Sequence, residues 1–165
     1  MTTPEPQNEA VTDVMHAQIG VLSERMTSPP VTESDIRRWA IAVYWPELPP
    51  RLYWDTDYAE STPHGGIVAP QELNPFAWPV DWHDNHYNRV VLQSNEGRVR
   101  LFGGTDTTYF QPIRPGDVIT SESRLSRIDE RPGKDRTMLF YVTENRWTNQ
   151  RDELVKIEMY TVIES

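Results

Sequence analysis

Proline placement restricts this chain more than any other feature of its sequence. Seven of its 14 prolines fall between residues 46 and 82, namely Pro46, Pro49, Pro50, Pro63, Pro70, Pro75 and Pro79. Proline lacks the amide hydrogen that helices and central strands need, and it restricts the residue before it. A helix that begins near Gln71 is therefore expected to end after about one turn. The middle of the chain is predicted to contain no long regular element.

Two segments before the proline-rich stretch have helical spacing. Between residues 9 and 26, apolar residues recur every three or four positions, which predicts a helix that Ser28-Pro29-Pro30 ends. A second helix has clearer start signals, because Thr32 can cap it and Asp35 follows three positions later. We expect this helix to extend for about three turns. Its predicted buried face consists of Ile36, Trp39, Ala40 and Val43.

After Tyr87 the pattern changes to β-branched and aromatic residues, which are typical of strands. The predicted strands are 89–93, 98–102, 107–111, 118–128, 136–147 and 154–163. Turn-forming residues at 95–97, 114–117, 131–134 and 148–152 separate them, and Gly103-Gly104 predicts a bulge or a close strand approach. The outline is an α+β fold with one long antiparallel sheet that needs a cover on one face.

Composition excludes several classes of function. The chain has 25 acidic and 16 basic residues, a net charge of −9, which argues against nucleic acid and anionic membranes as partners. It has no cysteine, so disulfides, thiolate nucleophiles and Cys-ligated zinc are excluded. No signal-peptide pattern and no run of about 18 apolar residues occurs, so we expect a cytoplasmic protein. Residues 1–8 are predicted to be a disordered tail. No cofactor and no metal are expected.

Three motifs, taken together and in order, resemble the MaoC-like dehydratase family. They are Trp-Ala-Ile-Ala-Val at 39–43 with Pro-Arg-Leu-Tyr-Trp-Asp at 50–55 and Tyr-Ala at 58–59, His-Gly-Gly-Ile-Val-Ala-Pro at 64–70, and Tyr-Phe-Gln-Pro-Ile-Arg-Pro-Gly-Asp at 109–117. The likeness covers roughly residues 32–163 and is closest to the N-terminal, non-catalytic half of members with two hot-dog domains. It implies one hot-dog domain over residues 9–165. In that fold a long antiparallel sheet wraps a central helix, which proline interrupts here.

The resemblance also implies that the catalytic dyad is missing. Catalytic members carry Asp-x-Asn-Pro-x-His-x-Asp, whose Asp and His handle the water that adds across an α,β-double bond. In this sequence Tyr53-Trp54-Asp55 stands in place of His-x-Asp, and Trp45 lies near the place of the catalytic Asp. Neither an indole nor a phenol with a reference pKa of about 10 replaces an acid–base pair near neutral pH.

By the logic of the family, such a half accommodates substrate while a partner performs the chemistry. The resemblance implies a non-catalytic subunit of a heteromeric (R)-specific enoyl-CoA hydratase, with a small catalytic MaoC-like subunit as partner. Its substrate is an acyl-CoA thioester, and the shortened central helix leaves space for a bulky, steroid- or lipid-derived acyl group. The expected substrate-binding residues are Tyr53, Trp45, Gly65, Gly66 and Arg114.

Individual site residues also have structural interpretations. Gly65 and Gly66 can place a backbone amide against a thioester, or form a tight turn that needs positive φ. Arg114 can meet a CoA phosphate, or pair with Asp117. The aromatic residues at 44, 45, 53 and 54 can line a ligand, the core or a subunit interface.

Two other functions remain open. Asp81, His83 and His86, together with Asp84, form the densest group of titratable side chains, and they suit a solvated loop, an acid–base pair or a metal site. The chain could therefore be a self-sufficient homodimeric hydratase or thioesterase that uses this group, or Asp55 and Asp57. The other alternative is a non-enzymatic acyl-thioester-binding or scaffold protein.

Overall fold

A computed structural model describes residues 11–77, 99–134 and 136–165, in which one five-stranded antiparallel sheet dominates. The strands lie in the order β1-β3-β4-β5-β2. This confirms the α+β prediction. The elements are α1 (Asp13–Ala17), β1 (Leu22–Thr27), α2 (Glu33–Tyr44), a 3₁₀ turn (Arg51–Tyr53), α3 (Thr56–Glu60), β2 (Arg100–Tyr109), β3 (Thr120–Pro132), β4 (Thr137–Thr148) and β5 (Leu154–Glu164).

The last three strands form a meander, as predicted. Turns at 131–134 and 148–152 join β3 to β4 and β4 to β5, and neighbouring strands pair over nearly their whole lengths. The turn at 114–117 leads into β3. These local signals were sufficient because each strand pairs with its neighbour in sequence.

The predicted helix over residues 9–26 is wrong in its second half. Helix α1 ends at Ala17, Gly20 takes a φ of 79°, and residues 22–27 become β1 at the edge of the sheet. Apolar residues four positions apart, such as Leu22 and Met26, fit the strand period of two as well as the helix period. Pairing with β3 decides between the two.

One long strand, β2, replaces the two separate strands predicted at 98–102 and 107–111. The register of the β2–β5 pair shifts between Phe102 and Gly104, so the predicted bulge at the glycine pair is confirmed. A Cβ at Gly103 would lie 2.9 Å from side-chain carbons of both Ile163 and Thr161, so the close approach is confirmed as well. Pairing continues past the bulge. The strand predicted at 89–93 and the turn at 95–97 lie outside the described residues, as does the tail at 1–8.

Helix α2 begins as predicted and extends for 12 residues. Thr32 Oγ1 accepts from the Asp35 amide at 3.1 Å, and Asp35 accepts from the Thr32 amide at 3.0 Å, so the capping box is complete. Ile36 and Ala40 are fully buried, whereas Val43 is 45% exposed. The prediction that Val43 belongs to the buried face is therefore wrong. The helix thus presents its first two turns to the core.

The proline-rich segment contains only short elements, as expected. Instead of a helical turn that begins near Gln71, the described residues form two single turns, with hydrogen bonds from Leu73 N to Pro70 O and from Ala77 N to Asn74 O. Pro75 has no amide hydrogen that could continue the first turn into a helix.

The inner face of the sheet has apolar ends and a polar middle. One apolar cluster joins the sheet to α2, α3 and the loops around residues 67–73, and a second joins it to α1. Between them lie polar side chains that alternate along β3, β4 and β5, and we call these the polar band. Its members are Ser121, Ser123, Thr143, Asn145, Lys156 and Glu158, all buried except the half-buried Glu158.

Candidate functional site

Tyr53 ends the 3₁₀ turn and packs half-buried against the core. Its ring centroid lies 5.9 Å from that of Tyr44 at the end of α2. Burial, the hydrogen bond with Tyr44 and the negative charge of Glu72 raise the pKa of Tyr53 to about 12. The phenol therefore remains protonated throughout the physiological range. Tyr53 can donate or accept a hydrogen bond, but it cannot act as a base near neutral pH.

Asp55, two positions after Tyr53, is fully committed to local structure. Its Oδ1 accepts from the Tyr58 amide at 3.0 Å and caps α3, while its Oδ2 accepts from Arg51 Nη2 at 2.7 Å. The hydrogen bond from the Tyr58 amide and the one from Arg51 lower the pKa of Asp55. This carboxylate is thus a helix cap and an ion-pair partner. Asp57 lies exposed in the first turn of α3.

Trp45 lies away from the interior. It follows α2, precedes a cis bond to Pro46 and is 78% exposed. It does not line either of the two cavities described below. The structure therefore does not bring Trp45 into the half-buried surroundings of Tyr53.

Gly65 and Gly66 form the turn that follows α3. Their φ values of 64° and 151° explain why glycine is needed. The Gly65 amide donates to Thr62 O at 3.0 Å, and the Gly66 amide donates to Ala59 O at 3.1 Å. Both amides are engaged within the chain, so a thioester oxygen would have to displace one of these bonds.

Arg114 joins this glycine turn to the Pro-Gly-Asp turn. Its Nη2 donates to the His64 carbonyl at 2.8 Å, and its amide donates to Asp117 Oδ2 at 2.8 Å. Asp117 is buried and forms its ion pair with Arg151, at 3.2 Å, instead of with the Arg114 guanidinium. A guanidinium has five N–H donors, so Arg114 keeps donors for an anion.

A cavity of about 590 Å³, which we call the apolar chamber, lies beneath α2. Its volume falls within the range of small-molecule pockets, roughly 300–1,000 Å³. Its walls come from α2, the segment that precedes it and the turns around residue 74. The lining is mainly apolar and includes Pro29, Val31, Trp39, Ala42, Leu73 and Pro75, and Asp35, Arg38 and Asn74 also line it.

A second cavity of about 360 Å³ lies on the polar band, and we call it the polar chamber. Trp39 and Asn74 line both chambers, so the two are neighbours. Lys156 lies in its wall with Nζ 2.8 Å from Glu158 Oε1 and 3.6 Å from the centroid of the Trp147 ring. This group was not predicted from the sequence. In the sequence, polar residues alternate along each of three adjacent strands. Only the pairing register shows that these residues lie on the inner face of the sheet.

The group formed by Asp81, His83 and His86 lies outside the described residues. No set of three or more His, Cys, Asp or Glu side chains suited to a metal occurs within the described part of the chain. Over the same ranges, no helix is both long and apolar enough to cross a membrane.

Comparison with solved structures identifies the fold of this chain. The MaoC-like dehydratase from Rhodospirillum rubrum is 21% identical, with a TM-score of 0.55, over 87% of this chain and 91% of that one. The 3R-hydroxyacyl-ACP dehydratase complex HadBC from Mycobacterium tuberculosis is 22% identical, with a TM-score of 0.55, over 86% and 96%. The ChsH1–ChsH2 complex from the same organism is 19% identical, with a TM-score of 0.59, over 86% and 82%. At these identities the likeness establishes the fold.

Comparison of the sequence with models of protein families identifies the family of this chain. A search of curated proteins found no significant match. The family model described as "FAS1-like, dehydratase domain region" matches residues 17–158, which is most of the chain. This chain therefore belongs to the FAS1-like dehydratase-domain family of MaoC-like hot-dog proteins.

Proposed function

We propose that this chain is the non-catalytic, substrate-accommodating subunit of a heteromeric (R)-specific enoyl-CoA hydratase. The observation that carries the proposal is the state of the residues at and next to the places of the catalytic dyad. Tyr53 has a pKa of about 12, Asp55 is used as a cap and ion-pair partner, and Trp45 is exposed.

Hydration of an enoyl thioester needs a base that takes a proton from water and an acid that protonates the α-carbon. A phenol that stays protonated near neutral pH cannot be that base, and a carboxylate that already accepts from an amide and a guanidinium is poorly placed to accept from water. A catalytic MaoC-like subunit would supply both groups.

The edge strand β2 supports the presence of a protein partner. It forms one edge of the sheet among the described strands, and none of its residues is buried. Its apolar side chains are unusually open, with Leu101 54% and Phe102 66% exposed. A long edge strand with exposed apolar side chains is a site for strand pairing with a second chain. Two of the similar structures, ChsH1–ChsH2 and HadBC, are complexes, which agrees with a protein partner for this chain.

The two chambers support an acyl-binding role. Because single turns take the place of a helix within residues 70–77, space remains between these turns, α2 and the segment that precedes α2. We assign the apolar chamber to a bulky acyl group and the remaining donors of Arg114 to a CoA phosphate. The glycine turn, which Arg114 holds through the His64 carbonyl, would lie beside the thioester.

Activity with and without a partner tests this function. The chain is purified alone and also co-expressed with a MaoC-like subunit that carries Asp-x-Asn-Pro-x-His-x-Asp. We expect hydration of enoyl-CoA only from the complex. Full activity of the chain alone, lost in His83→Ala or His86→Ala, would instead establish the self-sufficient enzyme.

A cavity-filling variant tests the acyl site. Ala42 lines the apolar chamber on an exposed part of α2, so Ala42→Trp should fill the chamber with little cost to folding. We expect the complex to lose activity on a bulky enoyl-CoA at least tenfold while crotonyl-CoA hydration is unchanged. Ile41→Trp, on the next residue and outside the chamber lining, is the matched control. Equal effects on both substrates would place the acyl group elsewhere.

A further inference from the structure

We infer that the polar chamber recognises a neutral oxygen, a ketone or a hydroxyl, on the acyl group at a distance from the thioester. This rests on the proposed function, in which Arg114 and the glycine turn hold the CoA phosphate and the thioester, the apolar chamber holds the acyl group, and the partner supplies the catalytic residues. Whatever reaches the polar chamber is then the remote end of the acyl group. A purely hydrocarbon acyl chain would leave the polar wall of this chamber unused.

Lys156 brings hydrogen-bond donors to this chamber. Its side chain is 7% exposed, yet its ammonium has one hydrogen bond among the described residues, to Glu158, and one ring contact, with Trp147. An ammonium has three N–H donors, and a buried charge is costly unless its donors are used. An acceptor oxygen in the chamber would form a hydrogen bond with one of the remaining N–H donors of Lys156.

A second donor lies in the same wall. Asn145 is buried, and its Oδ1 accepts a hydrogen bond from Ser123. This leaves the NH₂ group of Asn145 as a donor for the chamber that it lines. At the junction of the two chambers, the Trp39 indole N–H is buried and has no partner among the described residues. Lys156 and Asn145 thus supply at least two donors for an acceptor in the chamber.

The charge of the described lining selects a neutral acceptor. Glu72 and Glu158 carry two negative charges against the single positive charge of Lys156. A carboxylate on the ligand would meet net repulsion, because Glu158 already compensates the ammonium. A ketone or hydroxyl oxygen accepts from Lys156 and Asn145 without this penalty.

Three saturated CoA thioesters on one fused-ring skeleton test the inference. They are 3-oxo-5β-cholan-24-oyl-CoA, the 3α-hydroxy compound lithocholoyl-CoA, and 5β-cholan-24-oyl-CoA, which has no oxygen substituent on its rings. Because none is an enoyl thioester, no turnover disturbs calorimetric measurement of Kd on the full chain and on its complex. We expect both oxygenated compounds to bind about tenfold more tightly than the third. The ratio between the ketone and the hydroxyl shows which oxygen is preferred.

Lysine variants complete the test. Lys156→Met keeps the aliphatic stem and removes the donor, so the tenfold preference should fall below threefold. Lys134→Met, at the exposed β3–β4 turn, is the matched control and should keep the preference. If Lys156→Met alone is unstable because Glu158 is left unpaired, the double variant with Glu158→Met replaces it. Equal Kd values for all three compounds, or a preference unchanged by Lys156→Met, would overturn the inference. Absence of binding by all three would instead overturn the acyl site itself.

Discussion

The Pro-Gly-Asp turn depends on one buried carboxylate, that of Asp117, which is 2% exposed. It accepts from the Arg114 amide at 2.8 Å and from Gln150 Nε2 at 3.3 Å. The backbone of the same turn exchanges hydrogen bonds with Val31 before α2. Removing the carboxylate should therefore loosen both Arg114 and the start of α2.

The magnitude follows from the bonds that are lost. An orphaned buried donor costs about 1–3 kcal/mol, and hydrogen bonds to charged groups lie at the upper end. Arg151 is half-exposed and returns to water, so it adds little. We expect Asp117→Ala to lower the free energy of unfolding by about 3 kcal/mol, which is roughly 6–12 °C in Tm for a chain of this length. Asp117→Asn keeps an acceptor and should cost about 1 kcal/mol.

Thermal unfolding followed by circular dichroism measures these effects. Asp129→Ala removes a partly exposed carboxylate of the Arg127 pair and serves as the control, with an expected change of about 0.5 kcal/mol or less. If Asp117→Ala melts within about 2 °C of the wild type, the buried carboxylate does not organise the turn, and its bonds to Arg114 and Gln150 contribute little to stability.

Three further predictions concern the candidate site and the edge strand. The lowered pKa of Asp55 means that its stabilisation is present above its unfolded pKa and is lost as pH falls through the folded value. Asp55→Asn should thus lower Tm at pH 7 by an amount that shrinks below about pH 4, and a pH-independent difference would contradict this. Tyr53→Phe should leave the pH–rate profile of the complex unchanged, since a phenol with a pKa of about 12 does not titrate there; loss of one limb of the profile would contradict it. Phe102→Lys should weaken binding of the catalytic subunit at least tenfold in calorimetry, whereas Val14→Lys, at an exposed position of α1, should not; equal affinities would remove β2 from the interface.

Local signals in the sequence predicted the elements that local interactions determine. Helix α2 follows from its capping box and its apolar spacing, and the β3–β5 meander follows from strand segments joined by short turns. The bulge at Gly103-Gly104 was also predictable, because glycine inside a strand often marks a bulge or a close approach of two backbones.

Long-range pairing determined what the sequence did not reveal. Residues 22–27 form a strand because they pair with the edge of β3. The segments before and after Gly103-Gly104 form one continuous strand because both pair with β5. The sequence shows that Lys156 and Glu158 alternate on one side of β5, but it does not show that this side faces the interior. Val155 is buried as well, because the β4–β5 register shifts between Lys156 and Leu154.

The candidate site divides in the same way. The sequence places Tyr53 where the family resemblance leads one to expect His, and the structure adds the surroundings that raise the pKa of its phenol. That Arg114 contacts the His64 carbonyl while Asp117 pairs with Arg151 depends on how two turns distant in sequence meet, which no local pattern encodes.

The rate of enoyl-CoA hydration by the isolated chain is the most direct measure of its function. The purified chain is mixed with a bulky enoyl-CoA at neutral pH, and loss of the enoyl-thioester absorbance is followed before and after the catalytic subunit is added. We expect a rate equal to that of buffer before the addition and rapid hydration after it. Hydration by the chain alone at the rate of the complex would contradict the proposal that this chain is a non-catalytic subunit.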